Sequence, residues 1–265
     1  MINLEKMVYL ICAHAGAMPQ RRTNMRILSI GNSFSQDAQR YLNAISVSDG
    51  NEIFTENLMF GGCSLAKHCQ HIENDAKEYW EEINGKATGR RISIKDALLE
   101  GGWDIITLQQ VSHESVNYDT YQPYLGELYA YVKELAPDAK IYIHQTWFYE
   151  NGSEKLANLG IETSDAMLEK IKTAYALAYD AISADGMIRS GEMFALMKKR
   201  GIKKIHRDMF HASLGLSRYA LGLLWYATLT GRSVINNTLA AFDEAVSDDE
   251  LKIARECAEE IARLL

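Results

Sequence analysis

The feature that most constrains this chain is a series of short apolar runs separated by helix-length amphipathic stretches. Ile27, Leu28 and Ile30 form the first run, and Glu52–Met59 alternates as a second strand. Trp103–Leu108 and Lys140–Trp147 form the third and fourth, and Met187-Ile188-Arg189 a short fifth. Runs this short, β-branched and bounded by Gly or polar residues, read as buried strands. Between them, helical spacing predicts helices over 36–47, 65–83, 94–99, 121–135 and 164–183, with further helices over 191–200, 214–230 and 248–264. The polar segments 84–91 and 151–163 read as loops. Strands alternating with helices predict parallel βαβ units with right-handed crossovers. The expectation is a three-layer α/β/α fold of flavodoxin type, its sheet of about five strands ordered 2-1-3-4-5. In that order a crevice opens between the first and third strands at their carboxyl ends.

Composition narrows the partners. The chain has 265 residues, a formal charge of -7 and no basic cluster, which argues against nucleic acid and anionic membrane as partners. No run is long enough to span a membrane. Four cysteines and three prolines suggest neither a disulfide framework nor a linker, so residues 25–265 read as one domain. Residues 1–24 read as an extension. Met7–Ala13 imitates a secretory leader, but Glu5 offsets Lys6 and His14 interrupts the apolar stretch. The reading favours a cytoplasmic protein, with secretion as the consequence if that segment is a signal peptide.

Ser33, in Gly31-Asn32-Ser33-Phe34-Ser35, falls where the first strand stops and a helix starts. Unpaired N–H groups and the helix dipole favour negative charge there, so a hydroxyl at that point suits a nucleophile whose oxyanion meets ready donors. A serine that merely caps the helix is the alternative. A serine nucleophile needs an oriented base. Among seven histidines, His211 follows Asp208 by three residues, a spacing at which one turn of chain returns the carboxylate to the imidazole. The alternative is an ordinary loop in which Asp208 pairs with Arg207.

Gly31-Asn32-Ser33-Phe34-Ser35, Gly61-Gly62-Cys63-Ser64-Leu65 and Asp208-x-x-His211 occur in the order used by the SGNH (GDSL-like) hydrolases, which this chain resembles. It is most similar to a bacterial branch also marked by Leu108-Gln109-Gln110 with Ser112, by Thr146-Trp147 and by Leu229-Thr230-Gly231. The resemblance implies Ser33 as nucleophile, His211 as general base and then acid, and Asp208 as its orienting carboxylate. It further implies an oxyanion hole with the backbone N–H groups of Ser33 and Gly62 as two arms. The superfamily's third donor is an Asn after the third strand. This chain has Gln109-Gln110-Val111-Ser112 there, so Gln109, with Gln110 behind it, is the expected substitute.

Other residues each have two readings. Trp147 and Tyr149 follow the fourth strand and, as rim aromatics, suit stacking on sugar rings. Packing beneath the 151–163 loop is the alternative. His68 either lines the crevice or packs. Cys63, His68, Cys69 and His71 have zinc-like spacing, but Cys69 falls on the apolar face and the structural reading prevails. Trp80, Trp103 and Trp225 read as core. The expected function is a serine esterase removing an acyl, in the first place acetyl, group from a carbohydrate or small-molecule ester, without metal or cofactor. The alternatives are a lipase or thioesterase, and a non-catalytic carbohydrate-binding module on the same fold.

Overall fold

The computed structural model describes residues 24–264, so the extension expected over residues 1–24 lies outside it apart from Asn24. Among the described residues the strands are β1 (Asn24–Gly31), β2 (Glu52–Met59), β3 (Tyr79–Ile83), β4 (Lys86–Ile92), β5 (Ile105–Leu108), β6 (Lys140–Gln145) and β7 (Gly186–Arg189). They form one sheet in the order β4-β3-β2-β1-β5-β6-β7. β2, β1, β5, β6 and β7 run parallel, so the expected 2-1-3-4-5 order holds for these five. β1 is buried from Ile27 to Gly31 and β5 throughout, which is why both read as continuous apolar runs.

The helices are α1 (Ser33–Gln39), α2 (Leu42–Ser48), α3 (Leu65–Glu73), α4 (Ile94–Glu100), α5 (Tyr124–Leu135), α6 (Glu154–Asn158), α7 (Ser164–Ile182), α8 (Ser190–Lys199), α9 (Leu216–Thr230) and α10 (Asp248–Ile261). α1, α2, α8, α9 and α10 pack together against one face of the sheet, and α3, α4, α5 and α7 against the other. α9 is buried along most of its length, with Leu221, Leu223, Leu224, Trp225 and Tyr226 fully enclosed. No described helix is long and apolar enough to cross a membrane.

Several local expectations fail, among them the loop expected over 84–91, most of which is strand β4. The helix expected over 36–47 breaks at Arg40–Tyr41, because the Tyr41 ring turns into the core and its hydroxyl donates to Leu214 O at 2.8 Å. The helix expected over 65–83 stops at Glu73, and Asp75 takes a positive φ. The chain then forms the antiparallel hairpin β3–β4 against β2, turning through Asn84 and Gly85, both at positive φ. That dipeptide is the usual requirement of a tight hairpin turn. Trp80 consequently lies 42% exposed under the Arg91 guanidinium rather than in the core, whereas Trp103 and Trp225 are buried. The expected long loop at 151–163 contains α6.

Glu56, on β2 beside Leu28 of β1 and opposite Ile83 of β3, is fully buried with neither carboxylate oxygen hydrogen-bonded. Burial first, and then the charges of Glu100 and Glu81, push its pKa up to about 8 against the pull of Arg26 and Arg90. The native chain therefore keeps a proton that the unfolded chain releases above the ordinary value near 4.5. Stability from this group is lost as pH rises through that window. Thermal unfolding at about pH 5, 7 and 9 is expected to show the decline, and Glu56→Gln, which mimics the neutral acid, is expected to flatten it.

Candidate active site

The ends of β1, β2 and β5 converge as the parallel order requires, and the turn after β1 sets the geometry. Gly31 ends the strand where a side chain has no room: a Cβ there would overlap the Ser35 hydroxyl and crowd Gln109. Asn32 then caps α1, its Oδ1 accepting the Phe34 N–H at 3.0 Å. Because Asn32 is the cap, the Ser33 hydroxyl is not used for that purpose. It lies at the first helical position, 2.9 Å from His211 Nε2.

His211 sits on a short closed loop. His206 and Ala212 form an isolated antiparallel bridge, and the Arg207 N–H donates to His211 O at 3.0 Å. Met209 closes the turn at φ 71°. Asp208 Oδ1 accepts the His211 backbone N–H at 2.8 Å, and its Oδ2 lies 2.7 Å from His211 Nδ1. The carboxylate can only accept, so Nδ1 carries the ring proton and Nε2 is left to accept from Ser33. Burial pushes the Asp208 carboxyl up, but the hydrogen bonds from the His211 ring and backbone outweigh it and hold it below the usual aspartate range. The chain thus brings together a hydroxyl, an imidazole and a carboxylate in series, while Arg207, the alternative partner of Asp208, turns elsewhere.

The backbone N–H groups of Ser33 and Gly62 have no acceptor among the described residues. Their turns lie side by side, joined by the Phe60 N–H to Gly31 O contact at 3.5 Å. Gly62 is exposed at φ 68°, a conformation that favours glycine.

Several residues expected at the rim lie elsewhere. Gln109 is buried, one N–H of its Nε2 donating to Asn32 Oδ1 at 2.9 Å and its Oε1 accepting from His144 Nδ1 at 2.8 Å. Gln110 is fully buried, accepting the Leu65 N–H at 3.0 Å and donating to Thr120 O at 2.9 Å, which ties down the start of α3. Trp147 is enclosed, stacked on Phe34 at 4.0 Å, and its indole N–H donates to Phe210 O at 2.7 Å. It anchors the histidine loop from beneath. Tyr149 is likewise buried, its hydroxyl 2.8 Å from Ser112 Oγ. His68 is sealed behind Cys63, 2.7 Å from the Tyr79 hydroxyl, and burial lowers its pKa to about 3. Cys69 faces Tyr124 O instead of that cluster, and no described group of three or more His, Cys, Asp or Glu is placed to hold a metal ion.

Sequence reading missed the buried chain of hydrogen bonds beneath the nucleophile. Ser190 Oγ lies 3.1 Å from His144 Nε2, His144 meets Gln109, Gln109 meets Asn32, and Asn32 Nδ2 donates to Cys63 O at 3.1 Å. It runs along the carboxyl ends of the strands and fixes the turn holding Gly62 relative to the one holding Ser33. No single residue type announces it.

Among curated proteins none matches this chain. The family described as a domain of unknown function, DUF4886, matches residues 26–261. A DUF4886 family protein from Bacteroides uniformis is 31% identical, with a TM-score of 0.83 over 90% of this chain and 94% of its own. A protein provisionally assigned as an SGNH hydrolase, from Slackia heliotrinireducens, is 24% identical, with a TM-score of 0.52 over 72% of this chain and 91% of its own. One provisionally assigned as a GDSL-like lipase, from Parabacteroides merdae, is 13% identical, with a TM-score of 0.51 over 79% and 97%. The chain therefore belongs to the DUF4886 family, and its fold is that of the SGNH hydrolases.

Proposed function

We propose that this protein is a serine ester hydrolase working through an acyl-enzyme. The observation that carries the reading is the 2.9 Å contact between Ser33 Oγ and His211 Nε2, with Asp208 holding the far side of the ring. Ser33 Oγ attacks the ester carbonyl carbon while its proton passes to His211 Nε2. The carbonyl oxygen becomes an oxyanion, received by the N–H groups of Ser33 and Gly62. As the tetrahedral adduct collapses, the carbon–oxygen bond to the alcohol breaks and the imidazolium returns its proton to the leaving oxygen. Water then repeats the sequence: His211 takes its proton, the acyl group leaves as the acid, and Ser33 is regenerated. Asp208 stays ionised and stabilises the imidazolium.

Two backbone donors make up the proposed hole, with Gln109, buried and bonded to Asn32 and His144, as the support beneath it. Packing supports a short acyl group: Trp147, Phe148 and Tyr149, which follow β6 at the site, are filled against the core instead of walling an open channel. Acetyl is therefore the first choice. A carbohydrate as the alcohol half rests on the superfamily resemblance alone, since the expected rim aromatics are buried.

The first test is hydrolysis of 4-nitrophenyl esters of rising chain length. The acetate is expected to turn over fastest, Ser33→Ala and His211→Ala to lose activity, and Asp208→Asn to fall by on the order of 10⁴ in kcat through loss of the correct tautomer. A wild type no faster than Ser33→Ala defeats the hydrolase reading and favours a binding module; preference for long chains favours a lipase. The second test is Gln109→Leu. As a strut, its removal leaves the His144 N–H without an acceptor and is expected to cost about 1–3 kcal/mol in urea unfolding. A kcat loss of about 10²–10³ without loss of stability would instead mark Gln109 as a direct oxyanion donor.

A further inference from the structure

Asp37 follows Ser33 by four residues on α1, so both side chains leave the same face of the helix. It is fully buried, and its carboxylate is surrounded by donors from one region of the chain. Arg207 Nη1 lies 2.9 Å from both oxygens, Arg218 Nε is 2.8 Å from Oδ1, and the Ala212 N–H is 3.0 Å from Oδ2. Arg207 also donates to Ala212 O, tying the two ends of the loop to each other. Arg207 immediately precedes Asp208 and Ala212 immediately follows His211. Asp37 therefore grips both ends of the segment carrying the base and its orienting carboxylate, from the helix that carries the nucleophile.

A buried carboxylate is costly to desolvate and is held in place only when its lone pairs are filled, as here. Its removal would leave two guanidinium groups facing one another with a single carboxylate, Asp243, still near Arg218. Asp37 makes no hydrogen bond to Ser33 Oγ or to the His211 ring, so the reaction proposed above does not consume it.

We propose that Asp37 is a positioning residue that sets the distance between Ser33 Oγ and His211 Nε2 by fixing the 207–212 loop to α1; its effect on turnover rests on the hydrolase reading. Misplacing a reacting group by about 1 Å can cost on the order of 10²-fold in rate. Asp37→Asn is expected to lower kcat for 4-nitrophenyl acetate by about that factor, measured well below its melting temperature, with KM little changed. Asp37→Glu, which restores the charge on a longer arm, should recover stability more fully than kcat. If Asp37→Asn does not fold, Arg207→Gln removes one side of the grip and is expected to shift kcat in the same direction.

A readout independent of turnover is the ring nitrogen spectrum of His211 in substrate-free protein. Wild type should show one fixed Nδ1–H tautomer, and the variant should lose the Nε2 contact to Ser33. An unchanged ring signal, or a fall in stability with kcat intact, overturns the proposal. If Ser33→Ala proves as active as wild type, the hydrolase reading falls, and the ring spectrum alone decides whether Asp37 positions the loop.

Discussion

The site depends first on the amide of Asn32. Its Nδ2 faces the Cys63 carbonyl, which can only accept, so the opposite side of the amide must be the oxygen. That oxygen takes two N–H groups, one from Phe34 to start α1 and one from Gln109. With the Gln109 nitrogen turned to Asn32, its oxygen faces His144 and demands a proton on Nδ1. His144 Nε2 is then an acceptor and takes the Ser190 hydroxyl. One orientation propagates through four residues, so the network has a single proton order. Burial drives the His144 pKa down to about 3, which keeps the ring neutral and that order intact. Fully satisfied buried networks of this kind rigidify their surroundings, and here they lie beneath the turns of Ser33 and Gly62.

What was legible in the sequence was whatever is decided locally. Ile27–Ile30 and Ile105–Leu108 are buried on both faces, so their composition alone marks them as parallel strands. Asp208 and His211 lie within one turn of chain, so their pairing follows from spacing. The β3–β4 hairpin was hidden because Leu65, Cys69, Ile72, Ala76 and Tyr79 keep helical spacing past the point where the helix ends. The contrary signal, Asn84-Gly85, carried the correct turn chemistry.

What was not legible was decided by tertiary contact. A glutamine amide has the same donors whether it meets an oxyanion or an asparagine, and only the approach of Asn32 and His144 assigns Gln109 to the second role. Trp147 sits at a strand end where an exposed ring was as plausible as a buried one; Phe34 covers its face and Phe210 takes its N–H. Asp37 is hidden for a related reason, since its arginine partners lie 170 and 181 residues away.

The histidine loop shows why so many anchors are needed. Between Arg207 and His211 the chain turns back on itself in so few residues that Met209, which is not glycine, occupies the left-handed region. Such a conformation costs on the order of 1–3 kcal/mol and persists only where neighbours over-determine it. The Glu150 N–H donates to Met209 O at 2.8 Å, the Trp147 indole N–H donates to Phe210 O, and Asp208 Oδ1 accepts the His211 N–H. Each of these bonds reaches the loop's backbone, and those from Glu150 and Trp147 come from outside it, so they hold its path independently of its own side chains. The Asp208 side chain remains 43% exposed, and solvent there weakens a lone ion pair. The ring of His211 is therefore held in register by its carboxylate together with the many-point attachment of the loop that bears them both.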